Sequence, residues 1–377
     1  MEIRCVGPGD KETSNSPAQT IRMYRLRTGT VLNEELFVVG WFWAGLLLMV
    51  SVPVAVLTAL VLLHYYLRWK YVDLIARIFQ ERPLFIIPRG NPLPDAEDVT
   101  ITTSDGLKLR GCYVSTPHSR RGVVLFGLEF GSNRWSCLPY CEHLIENGFD
   151  VFSLESRGQG ESEKEPGYDP LQWVTDREVK DAQAALDYLK QRPDSDSHGI
   201  GFFGISRGAG AGLIAGAHDA YVRCFATDGL FASYTTLVPY MRQWFRIYDA
   251  RYLLQGLIPS WYYGLIGLAG LRTIEKESGC RFMHLEKSMA KLASRPLLMI
   301  HGGADTYIKP EMARSLFAKA REPKELWIVD GAKHNQSLQV AGEGYKRRVL
   351  DFFLNHLHEP MAKVGRDQTG NEVVVGS

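Results

Sequence analysis

The sequence predicts an α/β fold: a mostly parallel sheet flanked by helices, with a helical insert over one end and a single membrane-spanning helix ahead of it. Three observations carry that expectation. Across residues 97–360, short apolar runs rich in β-branched and aromatic residues alternate with amphipathic stretches, the rhythm of repeated β-α units. One block, 231–292, breaks the rhythm with helical spacing and no strand pattern. Leu36 to Leu67 contains no Asp, Glu, Lys or Arg and is longer than the about 20 residues that cross a bilayer.

Residues 1–35 read as a polar N-terminal segment, irregular over its first 30. The span, 36–67, has Trp41 and Trp43 near one end, with Tyr65, Tyr66 and Trp69 near the other, where interfacial aromatics collect. A secretory signal would have a shorter apolar core and a small-residue cleavage site. Pro53 lies mid-run, where it kinks a single helix or turns a re-entrant hairpin. Arg22, Arg25 and Arg27 flank one side and Arg68, Lys70, Arg77 and Arg82 the other, a slight lean towards a cytoplasmic C-terminal domain. Residues 68–96 combine a juxtamembrane amphipathic helix (71–85) with a proline-bearing linker.

The globular part, 97–360, opens with "DVTITTSDGLKLRGCYVS", two β-runs turned at Asp105-Gly106. "GVVLFGLEF" is a buried strand and "CLPYCEHLIENG" a helix stopped by Gly148. "FDVFSLESRGQGES" is a strand leaving into a glycine loop. "DREVKDAQAALDYLKQRP" is an amphipathic helix ended by Pro193. "GIGFFG" is a strand, "AGLIAGAH" a small-residue helix, and "VRCFATDG" and "PLLMIHG" are further strands. "PEMARSLFAKA" (helix), "ELWIVDG" (strand) and "YKRRVLDFFLNHL" (helix) complete the pattern, which argues for a parallel sheet covered on both faces. The tail, 361–377, is polar and expected to be flexible.

Composition excludes some functions. A net charge of +1 provides no global field to recruit nucleic acid. The six cysteines are scattered, and Cys137 and Cys141, four apart, have no second ligand pair, so they read as reduced and structural. With no glycine-rich phosphate loop ending in Lys, no H-E-x-x-H and no zinc spacing, neither a cofactor nor a metal is expected.

Chemistry concentrates at strand ends. Ser206 lies in G-I-S-R-G (204–208), between a strand and a small-residue helix. A serine hydroxyl is a poor nucleophile at neutral pH unless a base takes its proton and an acid orients that base. Asp305 lies just beyond "LLMIHG" and His334 just beyond the last strand, in the order such an arrangement requires. Asp228, after "VRCFATDG", is a rival acid.

Four pieces together resemble the α/β-hydrolase superfamily: G-I-S-R-G (204–208), H-G-G-A-D (301–305), G-A-K-H-N (331–335) and S-R-G-Q-G-E-S (156–162). They span about 97–357. The resemblance implies Ser206 as nucleophile, His334 as base and Asp305 as orienting acid, with Gly204 and Gly208 making room for a strained elbow. It also implies an oxyanion hole from the backbone N–H groups of Arg207 and Phe130. Leu128-Glu129 stand where many members carry His-Gly, so Glu129 points away, tunes specificity or impairs the site. The 231–292 insert would act as a lid. The expected reaction is hydrolysis of a carboxylic ester or thioester of a hydrophobic acyl substrate, at a membrane bilayer. A peptidase or amidase on the same scaffold, or a catalytically impaired membrane-anchored scaffold, are the alternatives.

Overall fold

The computed structural model describes residues 17–81, 89–248 and 258–357, plus the backbone of 363–366 and 372–375. Residues 1–16, most of the linker, 249–257 of the insert and most of the tail lie outside the described residues. The chain divides into two compact units, 1–69 and 70–377.

Helix α1 runs from Pro17 to Gln80. The expectation of an irregular segment up to residue 30 therefore fails from residue 17 onward. Pro17 takes the first helical position, where its missing N–H costs nothing. The helix passes through Pro53 and continues to Gln80. It stops ahead of Pro83, whose ring disfavours helical backbone at the preceding residue. From Leu36 this helix is long and apolar enough to cross a membrane, with a mean hydropathy of 2.8 over its most apolar window.

Within the second unit an eight-stranded sheet has the order β1-β2-β4-β3-β5-β6-β7-β8. Strands β1 (Glu97–Thr102) and β2 (Lys108–Val114) form the antiparallel opening hairpin, and β2 pairs antiparallel with β4 (Phe149–Leu154). Strands β3 (Gly122–Gly127), β5 (Ile200–Ile205), β6 (Val222–Asp228), β7 (Leu297–Gly302) and β8 (Lys324–Val329) continue it in parallel from β4. Continuous apolar strands such as β5 are buried on both faces, as a sheet with helices on each side requires. On one face Leu186 and Leu189 of α3 (Asp176–Gln191), Leu213 and Ile214 of α4 (Ser206–Ala217) and Met289 of a short helix at Leu285–Met289 pack against the sheet. On the other, Tyr140 and Leu144 of α2 (Leu138–Ile145) and Val349 and Phe353 of the last helix (Glu343–His356) do the same. The free thiols of Cys137 and Cys141 are buried in that second core.

The insert between β6 and β7 is helical, with α5 at Ser233–Tyr248 and α6 at Ser260–Ser278. It shares a third apolar core with the end of α1. Val72, Ile75, Ala76, Ile78 and Phe79 are buried there with Trp173, Leu237, Tyr240, Tyr263 and Ile266. Asp73, Arg77 and Gln80 face out, so the amphipathic face of this helix end is satisfied by protein. In the tail, Lys363–Arg366 and Glu372–Val375 pair as an antiparallel hairpin.

Candidate active site

The site is assembled at the carboxyl ends of β5, β7 and β8. Strand β5 ends at Ile205, and the chain turns into α4 at Ser206 with φ 52, the left-handed region that costs a serine about 1–3 kcal/mol. Small neighbours permit the turn. A Cβ on Gly204 would come within 2.7 Å of Ala209 Cα, and one on Gly208 would overlap the Leu128 carbonyl oxygen. The first turn of α4 and the loop after β3 are thus pressed together.

Ser206 Oγ lies 3.0 Å from His334 Nε2, and His334 Nδ1 lies 2.6 Å from Asp305 Oδ2. The other oxygen of Asp305 accepts the backbone N–H groups of Tyr307 (2.8 Å) and Ile308 (2.9 Å), which fixes the carboxylate. Ser206 is 5% exposed and the His334 side chain 7%. The rival, Asp228, is turned elsewhere: it accepts from Ser337 Oγ at 2.9 Å and Tyr345 OH at 3.2 Å, and burial pushes its carboxyl up to about 6. His334 is brought to Asp305 and not to Asp228.

Arg207 and Phe130 are also brought together. The Arg207 N–H is among those that a helix start leaves without an intrahelical acceptor, and the Phe130 N–H has no acceptor among the described residues. The Arg207 guanidinium lies 4.9 Å over the Phe130 ring. Its remaining contacts were not foreseen from sequence. It donates to the Leu171 carbonyl (2.9 Å) and to Gln159 Oε1 (2.6 Å), and lies 3.4 Å from Glu178. Gln159 Nε2 then donates to the backbone carbonyls of Glu129 and Ser132, both at 2.9 Å. One glutamine from the S-R-G-Q-G-E-S loop therefore ties the residue after the serine to the loop that carries Phe130.

Glu129 does not point away. Its carboxyl is buried and Oε2 accepts from Asn335 Nδ2 at 2.7 Å, with burial pushing it up to about 7. Around the imidazole stand Tyr307 and Phe231, with ring centroids 5.4 and 6.3 Å away. Behind them, Tyr240, Trp173 and Phe79 continue an aromatic cluster, with Phe79 5.0 Å from Trp173 and 5.2 Å from Tyr240. Of the insert aromatics, Tyr263 is buried whereas Trp261 is exposed. Chemically, the arrangement can transfer the serine proton to an oriented imidazole and offer two N–H groups to a developing oxyanion.

The strand order, the opening antiparallel hairpin and the elbow after β5 define an α/β-hydrolase fold. Solved structures with the same fold include the Pyrococcus furiosus esterase Pf2001, at TM-score 0.54 and 23% identity, covering 74% of this chain and all of that one. The α/β hydrolase GrgF from Penicillium sp. sh18 matches at TM-score 0.53 and 23% identity, over 71% of this chain and all of the other. In sequence, the chain is 28% identical over 271 residues to the YfhR protein of Escherichia coli K12, covering 70% of this chain and 82% of that protein. It is 25% identical over 302 residues to the α/β hydrolase domain-containing protein WAV2 of Arabidopsis thaliana, covering 74% and 89%. No family model matches.

Proposed function

We propose that the protein is a membrane-anchored serine hydrolase that cleaves a carboxylic ester or thioester of a hydrophobic acyl substrate. The observation that carries this reading is the hydrogen-bonded chain from Ser206 Oγ through His334 to Asp305. Ser206 Oγ attacks the substrate carbonyl while His334 Nε2 takes its proton. Asp305 holds the tautomer and stabilises the imidazolium, and the N–H groups of Arg207 and Phe130 receive the oxyanion. The proton passes to the leaving alcohol or thiol, and water then hydrolyses the acyl-enzyme by the same route.

The aromatic surroundings of His334 favour an apolar acyl group, and a structural neighbour is itself named an esterase. Helix α1 supplies the anchor, and the insert acts as a lid over the nearly enclosed serine. The basic residues after the span lean towards a cytoplasmic hydrolase domain. A peptidase or amidase on the same scaffold is the competing reaction.

The test is a fluorophosphonate probe on the full-length protein in detergent, followed by a chain-length series of p-nitrophenyl esters beside matched anilides. Labelling should vanish in Ser206→Ala, and ester turnover should rise with acyl length and exceed anilide turnover. Labelling that survives in Ser206→Ala removes the nucleophile assignment. A preference for acetyl esters removes the apolar substrate.

A further inference from the structure

Resting on the serine-hydrolase reading, a second question is what Glu129 does beside the oxyanion loop. It immediately precedes Phe130, whose N–H is one of the two oxyanion donors. Its carbonyl is held by Ser132 Oγ (2.8 Å) and Gln159 Nε2 (2.9 Å), so its backbone is fixed. Glu129 is 4% exposed, and the carboxyl's one hydrogen-bond partner among the described residues is the neutral Asn335 amide. Asn335 follows His334 and has φ 56. It packs against Gly229, where a Cβ would stand 2.6 Å from Asn335 Oδ1 and 3.4 Å from His334 Cε1. The amide and the imidazole are thus seated on one support. The Glu129–Asn335 hydrogen bond joins the loop that offers the oxyanion N–H to the loop that holds the base.

The charge around this bridge is one-sided. His334 faces Glu129 from the loop after β8, Asp228 from the end of β6 and Tyr140 from α2, with Asp305 behind the imidazole. Gln159, from the loop after β4, meets only the Glu129 backbone. The Arg207 guanidinium is engaged by Gln159, Leu171 and Glu178. No Lys or Arg pairs with Glu129 among the described residues. A carboxylate here would be buried without a cation, facing another acid, Asp228, next to the point where the substrate oxygen becomes negative.

We propose that Glu129 is a positioning residue that works as a neutral carboxylic acid: through Asn335 it sets the spacing between the oxyanion loop and His334, and losing its proton switches the site off. Burial pushes this carboxyl up to about 7, which puts the switch near neutral pH. The signs follow. Ionisation of Glu129 places an anion against the oxyanion, so the rate falls as the pH rises through the Glu129 midpoint. A triad without such an acid reaches a plateau instead.

The test measures the second-order rate at which a fluorophosphonate labels Ser206 in the full-length protein in detergent, across about pH 5.5 to 9.5. In this reaction Ser206 Oγ forms the P–O bond, fluoride leaves, and the hydroxyl proton goes to His334. The wild-type profile should have a falling limb, dropping by about tenfold per pH unit beyond the Glu129 midpoint. Glu129→Gln keeps an acceptor for Asn335 without a charge, so it should keep the wild-type maximum and lose the falling limb. Glu129→Ala loses the bridge and should be slower by about 10- to 100-fold at every pH. A wild-type plateau up to the highest pH overturns the proposal. So does a Glu129→Gln profile with the wild-type falling limb, or one as slow as Glu129→Ala throughout. Should the Gln variant fail to fold, an infrared carboxylic-acid band assigned by isotopic Glu labelling decides on the wild type: it should disappear with the midpoint of the falling limb, and its absence below that pH refutes the proposal. Survival of labelling in Ser206→Ala would instead sink the underlying hydrolase reading, whereas its loss there with a flat wild-type profile sinks this inference alone.

Discussion

Asp305 uses its two oxygens differently, one on the His334 Nδ1 and one on two backbone N–H groups. Asp305→Asn can preserve the backbone contacts through its amide oxygen, while its NH2 faces the imidazole and reverses the tautomer. On the hydrolase reading, kcat on p-nitrophenyl butyrate should fall by about 10⁴-fold with little change in thermal stability. Asp228→Asn, two loops away, should stay within about tenfold of wild type, because its partners are Ser337 and Tyr345. Equal losses in the two variants would return Asp228 to contention. In the sequence both acids were legible at strand ends, with Asp305 preferred and Asp228 kept as a rival, because either strand end can approach a histidine on the neighbouring strand. Glu129, Gln159 and the Arg207 side chain were illegible as a network for a plainer reason. Their partners, such as Asn335 for Glu129 and Arg207 for Gln159, are far away in the chain, and no local pattern records a contact of that kind.

At the scale of elements, the β-α alternation was legible because buried parallel strands read as uninterrupted apolar runs and their helices as amphipathic ones. What α2 buries besides apolar side chains was less apparent. His143 is 8% exposed, neither ring nitrogen has a partner among the described residues, and burial pulls its pKa down to about 4. An unfolded histidine takes up a proton near pH 6.5, while the folded one resists until about pH 4. The unfolded state therefore binds more protons in that interval, and stability is lost as the pH falls from about 6.5 to 4. The shift corresponds to about 3 kcal/mol. Replacing the ring by an apolar side chain, His143→Leu, should flatten this part of the stability curve. Urea denaturation at pH 7 and pH 5 checks it: the wild type should lose more stability between the two than the variant does, and parallel losses would show that other groups set the acid limit.

On the scale of the whole molecule, the second unit begins at Lys70, so the last turns of α1 belong to it. The amphipathic spacing of 71–85 was legible, but such a face fits a bilayer surface and an apolar protein core equally well, and the sequence does not say which one meets it. Residues 72–79 meet the protein core: Phe79 is 1% exposed against Trp173 and Tyr240, and Ile75 fills the space a Cβ on Gly270 would need. The second unit should therefore depend on the last turns of a helix that, from Leu36, is long and apolar enough to cross a membrane. A chain beginning at Lys70 keeps this wedge and should melt in one cooperative transition. A chain beginning at Glu81 lacks it, leaves α5 and α6 with an uncovered apolar face, and should melt lower and aggregate. In the full-length protein, Phe79→Ala alone should cost about 3–5 kcal/mol, a large part of the 5–15 kcal/mol that holds a typical domain together. Equal melting of the two truncated chains, read by calorimetry, would mean that residues 70–80 only lie against the unit and do not hold it together.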